Sequence, residues 1–155
     1  MSVVRNGFAL IGPLLFAACA VHRESQFEAW THQPTPSSWT IATPWKLIIL
    51  DNKANVVVSM TLQFTEEKAN SCVAGDWKRV RVSDFRSTDE NFFPGNEPLS
   101  YELTGSALVI GRNELCDAYL TLMGPITTQS ISGEYKAAGL SYEKLLGHFY
   151  AVPLR

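Results

Sequence analysis

A chain of 155 residues with 13 basic and 15 acidic side chains suits one domain and carries a formal net charge of −2. That balance excludes the basic stripe of a nucleic-acid-binding domain and the polybasic patch that docks on anionic lipid. With 46% apolar and 18% charged residues, the chain has a globular rather than a disordered composition.

In chain order, the first element is an export segment. Residues 1–5 are positively charged through Arg5. Residues 7–18 are uncharged and mostly apolar, from Phe8 to Phe16, and end in Ala17 and Ala18. This is the charged, apolar, small-residue order of a signal peptide. The apolar run is too short to cross a hydrocarbon core of roughly 30 Å as a helix. Leu15-Phe16-Ala17-Ala18-Cys19 resembles the lipobox of bacterial lipoproteins, with Phe16 where that family usually has Leu. The resemblance implies loss of residues 1–18 and a diacylglyceryl group on Cys19, the new N-terminus. Losing Arg5 leaves 12 of the 13 basic residues against 15 acids, a net charge of −3. Ala20, a non-Asp residue after the cysteine, implies by the same resemblance the outer membrane of a Gram-negative envelope, facing the periplasm. The rival reading is ordinary cleavage after Ala20, with Ala18-Cys19-Ala20 as the recognition site.

Export gives the remaining cysteines a role. Cys72 and Cys116 form an even pair in an oxidising compartment, where a disulfide is expected. It closes a loop of about 45 residues, worth roughly 3–4 kcal/mol in the chain-entropy picture. The alternative is two buried thiols. No nearby histidine completes the ligand spacing of a zinc site, so no metal is expected.

Residues 19–44 read as a lipidated N-terminus and a linker. The run from His32 to Ser38 is rich in Pro, Ser and Thr, and its prolines prevent regular hydrogen bonding. Trp30 and Trp39 interrupt it, either packing back onto the domain or facing a partner.

From residue 45 to 155 the pattern is strand after strand. Residues 45–50 end at the turn signal Asp51-Asn52-Lys53. Residues 55–64 alternate, with Val56, Val58, Met60, Leu62 and Phe64 opposite Val57, Ser59, Thr61 and Gln63. Period-two alternation means a strand with one buried and one wetter face. Residues 77–82 alternate too, and a long loop is expected over 84–98. Two short strands, 99–103 and 107–111, flank Thr104-Gly105-Ser106 as a tight hairpin. Further strands are expected over 115–123, 126–137 and 148–154, with 140–146 as a short helix or a loop. Gly133 and Gly147 fit places where a tightly curved barrel needs side chains to be missing. About eight strands without crossover helices imply an all-β fold with antiparallel pairing. The expectation is a small up-and-down barrel, lipocalin-like, with a two-sheet sandwich as the alternative. An eight-stranded barrel is either filled by side chains or holds one small ligand.

Catalysis needs a tuned acid, base or nucleophile held by a partner. The domain has one histidine, His148, at the start of a strand; His22 and His32 lie in the linker. No nucleophile elbow, metalloprotease helix, phosphate loop or calcium loop is present. Asp89 and Glu90 are adjacent and point apart, unlike a glycosidase pair. The chain therefore reads as a non-enzyme without a cofactor.

Two features read as contact surfaces. Alternation puts Trp77, Arg79 and Arg81 on one face, and Trp and Arg are enriched where binding energy concentrates. The plain alternative is a tryptophan in the barrel wall beside two solvated arginines. Phe92 and Phe93 stand in the middle of the long loop, either a lid over one barrel end or an exposed anchor.

Trp45-Lys46-Leu47, and Cys72-Val73-Ala74-Gly75 ahead of Trp77, are similar to segments of the small periplasmic barrel inhibitors of secreted metalloproteases. That resemblance implies an exported eight-stranded barrel with one disulfide. Cys116 falls later than that family's second cysteine, and the family's inhibitory N-terminal stretch is here the tethered linker. Ser130-Ile131-Ser132-Gly133-Glu134-Tyr135 loosely resembles the motif of lysozyme inhibitors, with the tyrosine one position off. No inhibitory residue carries over from either family. The expected function is a lipid-anchored periplasmic binding protein with a protein partner, in its sharpest form an inhibitor or immunity protein against a hydrolase. A carrier of a small apolar ligand, with a cavity lined by Val56, Val58, Met60, Leu62 and Phe64, and a structural envelope lipoprotein are the alternatives.

Overall fold

Eight strands run in sequence order: β1 (Trp45–Asp51), β2 (Val56–Lys68), β3 (Lys78–Ser87), β4 (Leu99–Thr104), β5 (Ala107–Arg112), β6 (Tyr119–Pro125), β7 (Ile131–Gly139) and β8 (Tyr142–Pro153). In the computed structural model, which describes residues 26–95, 97–112, 119–139 and 142–154, each pairs antiparallel with its neighbour in sequence. β8 returns to β1, from Trp45 opposite Pro153 to Asp51 opposite Gly147. The sheet is thus a closed up-and-down barrel, not a sandwich, and closure leaves no strand at a free sheet end.

Alternation decides what fills it. Leu47, Ile49, Val58, Met60 and Leu62 are fully buried, and Phe64 nearly so. They meet Leu108, Ile110, Leu122, Ile131, Tyr135 and Phe149 from the other strands in one packed cluster. Val56 is the exception to the expected inward row: it is 50% exposed. The pairing steps from Ile49–Val58 to Leu50–Val56, so β2 carries an extra residue there. Such a bulge breaks the period and turns Val56 out.

Bulges also explain the displaced boundaries. Residues 84–87, expected in the long loop, belong to β3, which continues through Asp84 at φ 50° and a shift in its pairing with β2. Residues 140–146 are not helical where described; β8 starts at Tyr142. Its pairing steps from Tyr135–Gly147 to Lys136–Leu145, which hides the alternation around Leu146. Residues 126–130 turn instead of extending β7, with Thr127 N–H donating to the Ser130 carbonyl at 2.8 Å. Residues 115–118 of the expected sixth strand lie outside the described residues.

The two glycines expected at crowded positions are crowded. A Cβ on Gly147 would stand 1.9 Å from the Leu50 carbonyl oxygen, and one on Gly133 2.0 Å from that of Met123. Only a missing side chain lets these strands pass so closely.

The largest departure from expectation is the linker. From residue 26 it is folded onto the barrel. Residues 26–31 are helical. The Ser106 N–H and hydroxyl both donate to the Trp30 carbonyl at 3.0 Å. Thr35 Oγ1 donates to the Gly105 carbonyl at 2.6 Å, and Ser38 Oγ to that of Thr128 at 3.2 Å. Trp39 then covers one barrel end, its ring 4.7 Å from that of Phe64 and 5.7 Å from that of Trp45. Proline and serine in this stretch rule out regular secondary structure, not docking: hydroxyls and carbonyls still bond to turn backbones.

Candidate functional site

The long loop between β3 and β4 is a lid. Phe93 is buried, 2% exposed, and Phe92 is half-buried. Their rings lie 5.7 and 5.2 Å from the ring of Tyr135, edge to face. The Tyr135 hydroxyl donates to the Phe92 carbonyl. Burial pushes the Tyr135 phenol well above its ordinary pKa, against the nearby Arg112, which pulls it down. Arg112 is itself ion-paired with Glu97. With Trp39 at the other end, aromatic side chains cover both ends of a packed core.

Trp77 lies on the outside of the wall. It is 8% exposed, with its six-membered ring against Gly111 of β5, where no side chain intervenes. Its indole N–H has no hydrogen-bond partner. Arg79 is half-buried; Arg81 is exposed and ion-paired with Glu67. Phe92 and Phe93 turn into the core at a barrel end, so they do not join Trp77, Arg79 and Arg81 on one contact surface. Of the alternatives left open by the sequence, the phenylalanines take that of the lid and Trp77 that of a tryptophan packed on the barrel wall.

Trp77 instead forms part of a groove of about 980 Å³ on the outer wall. The floor comes from outward-facing residues of neighbouring strands: Val109 of β5, Tyr119, Thr121 and Met123 of β6, and Ala138 of β7. One flank is the helical segment, through Phe27 and Trp30, whose rings meet edge to face at 6.3 Å. The other is the β2–β3 connection, through Val73 and Trp77. That connection is held to the wall by the Asp76 N–H, which donates to the Glu102 carboxylate at 3.2 Å. A site of this volume, with aromatic and apolar side chains interspersed with charged ones, has the size of a ligand-binding cleft.

Its charged groups are uneven. Glu28, Glu102, Glu134 and Glu143 line it, against Arg112 and Lys136. Lys136 bonds to Glu134 at 2.9 Å and Glu143 at 2.7 Å. Burial alone pulls its ammonium pKa down, but the bonds to Glu143 and Glu134 outweigh burial and raise it. Both cations are therefore already neutralised.

Cys72 lies in the β2–β3 connection between Ser71 and Val73; Cys19 and Cys116 lie outside the described residues. His148 is exposed on β8. Among the described residues, no group of three or more His, Cys, Asp or Glu side chains is placed to hold a metal ion. No described helix is long and apolar enough to cross a membrane.

Sequence reasoning missed Phe27, Trp30, Val109, Tyr119 and Met123. A signal was present. Leu120 and Leu122 face inward, so Tyr119 and Met123 are apolar on the face that a half-solvated antiparallel strand keeps polar. Fold and site together describe a closed, filled eight-stranded barrel with an aromatic groove on its outer wall. No protein-family model matches the chain, nor does any curated protein or solved structure show significant similarity to it.

Proposed function

We propose that the chain is a lipid-anchored binding protein of the Gram-negative cell envelope. Cys19 carries the anchor in the outer membrane, and the barrel faces the periplasm and captures a protein partner, as an inhibitor or immunity protein against a hydrolase would. The observation that carries this reading is the combination of a packed interior with an aromatic groove outside it. A filled lumen favours a rigid scaffold, and a groove flanked by Phe27, Trp30 and Trp77 has the side chains of binding hot spots. A Cys72–Cys116 disulfide belongs to the same proposal. Ser71 and Val73, on either side of Cys72, share the groove with Arg112 and Tyr119, which bracket the segment holding Cys116.

The test is capture from envelope extract by the immobilised mature protein, against the Met123→Lys variant, with both checked for equal thermal unfolding. A stoichiometric partner is expected on the wild type and lost on the variant by at least tenfold, the effect of about 1.4 kcal/mol. A partner retained by Met123→Lys places the contact elsewhere. No partner on either removes the protein-binding reading. A second reading, a carrier of a small apolar molecule, is favoured by the groove's volume, which lies in the range of small-ligand sites. It moves the ligand from the lumen to the outer wall.

A further inference from the structure

The groove combines three features that together select a ligand chemistry. Its aromatic residues, Phe27, Trp30, Trp77 and Tyr119, come from separate parts of the chain. Aromatic faces attract cations and tolerate apolar groups equally well. Its carboxylates stand on both sides of the floor, Glu102 on β4 and Glu143 on β8, and among the described residues they outnumber its cations four to two. Both cations are already held, Arg112 by Glu97 and Lys136 by Glu134 and Glu143. An anionic ligand would meet excess like charge, with both cations of the described residues already held, and desolvating it there would cost more than it returns. A neutral apolar ligand would dry the groove around more carboxylate than cationic charge. A ligand with an apolar body and a positive head satisfies both surfaces.

We infer that the groove takes an apolar, basic segment of the partner protein, with Lys or Arg side chains set between the aromatic faces and the Glu102 and Glu143 carboxylates. The inference rests on the protein-binding reading above and names the chemistry of that partner. A protein segment, rather than a free amphiphile, fits because Glu102 on β4 and Glu143 on β8 stand on opposite sides of a three-strand floor, too far apart for one cationic head to meet both, whereas one segment brings several side chains. The whole chain, acidic at net −2, steers basic partners and repels acidic ones.

The experiment uses the mature protein and three probes followed by tryptophan fluorescence and calorimetry. The probes are a blocked twelve-residue peptide of alternating Leu and Lys, its Leu/Glu counterpart, and dodecyltrimethylammonium below its micellar concentration. The expected result is one-to-one binding of the Leu/Lys peptide, at least about tenfold tighter than the Leu/Glu peptide. It should weaken about five- to tenfold in the Glu102→Gln/Glu143→Gln double variant, and with added salt. Glu102→Gln keeps the acceptor for the Asp76 N–H, so this variant tests charge rather than folding. Equal binding of both peptides overturns the charge inference and leaves the groove as a binding site. Binding of dodecyltrimethylammonium alone overturns the peptide occupant in favour of a small cationic amphiphile. Binding of none of the three overturns the groove itself.

Discussion

The Tyr135 hydroxyl sits inside the barrel end and donates to the Phe92 carbonyl, so one oxygen joins the wall to the lid. Its ring is fully buried and faces Phe92 and Phe93. Tyr135→Phe keeps the packing and removes the bond. The expected cost is about 1 kcal/mol, read as a lowered urea midpoint with an unchanged slope. The same substitution changes the alkaline behaviour. Burial raises the folded-state pKa of this phenol above its unfolded value. Its contribution is therefore complete below the ordinary phenol pKa of about 10, and is lost as pH rises through that value towards the folded pKa. The stability gap between wild type and Tyr135→Phe should shrink as pH passes about 10; a constant gap would mean that the phenol is not held neutral by the fold. Phe92 and Phe93 were legible as a pair with two roles, lid or anchor. Only their packing on Tyr135, more than 40 residues away in sequence, assigns the lid.

At the scale of elements, the segment before β1 matters most. Its composition reads as a spacer, and a spacer adds nothing to stability. Trp39 instead meets Phe64, Trp45 and Tyr101 from three strands, and Gln63 Nε2 donates to the Ile41 carbonyl beside it. Trp39→Ala should cost about 2–3 kcal/mol, less than a fully buried Trp→Ala because the ring is only partly buried. Denaturant melts would show it; a change under about 0.5 kcal/mol, as at an ordinary surface position, would mean that the segment is a passive tether. Gly105 supports the same contact from the other side. It has φ +59°, and a Cβ there would stand 2.3 Å from the Thr31 carbonyl oxygen. The hairpin glycine expected from the local turn thus also lets the helical segment approach.

For the whole molecule, barrel closure puts the inward rows of all eight strands into one core and sends the outward rows to the surface. The proposed anchor belongs to this scale. Metabolic labelling with palmitate should mark the protein, Cys19→Ala should abolish the label, and the protein should leave the membrane fraction. A Cys19→Ala protein that keeps its label or its membrane association would remove the lipobox reading. Since the chain from residue 26 is docked on the barrel, only residues 19–25 separate the anchor from the folded body, at most about 25 Å if fully extended. With the proposed anchor on Cys19, the groove, flanked by that segment, would lie close to the membrane surface.

Alternation, turn residues and the absence of long amphipathic helices were enough to give about eight antiparallel strands, because burial on one face of a sheet writes a period of two directly into the chain; that they close into a barrel rather than a sandwich was decided by the pairing of β8 with β1. The same logic placed Gly133 and Gly147 at close strand crossings. It failed at Val56, at residues 84–87 and around Leu146, since a bulge adds one residue and reverses the phase without any compositional mark. Only the tertiary structure decided that the interior is full, that Trp77 lies in the wall, and that Phe27, Trp30, Tyr119 and Met123 share a groove. Those side chains come from a helical segment, the β2–β3 connection and strand β6, and local periodicity holds no information about which distant segment the fold lays over which outward face.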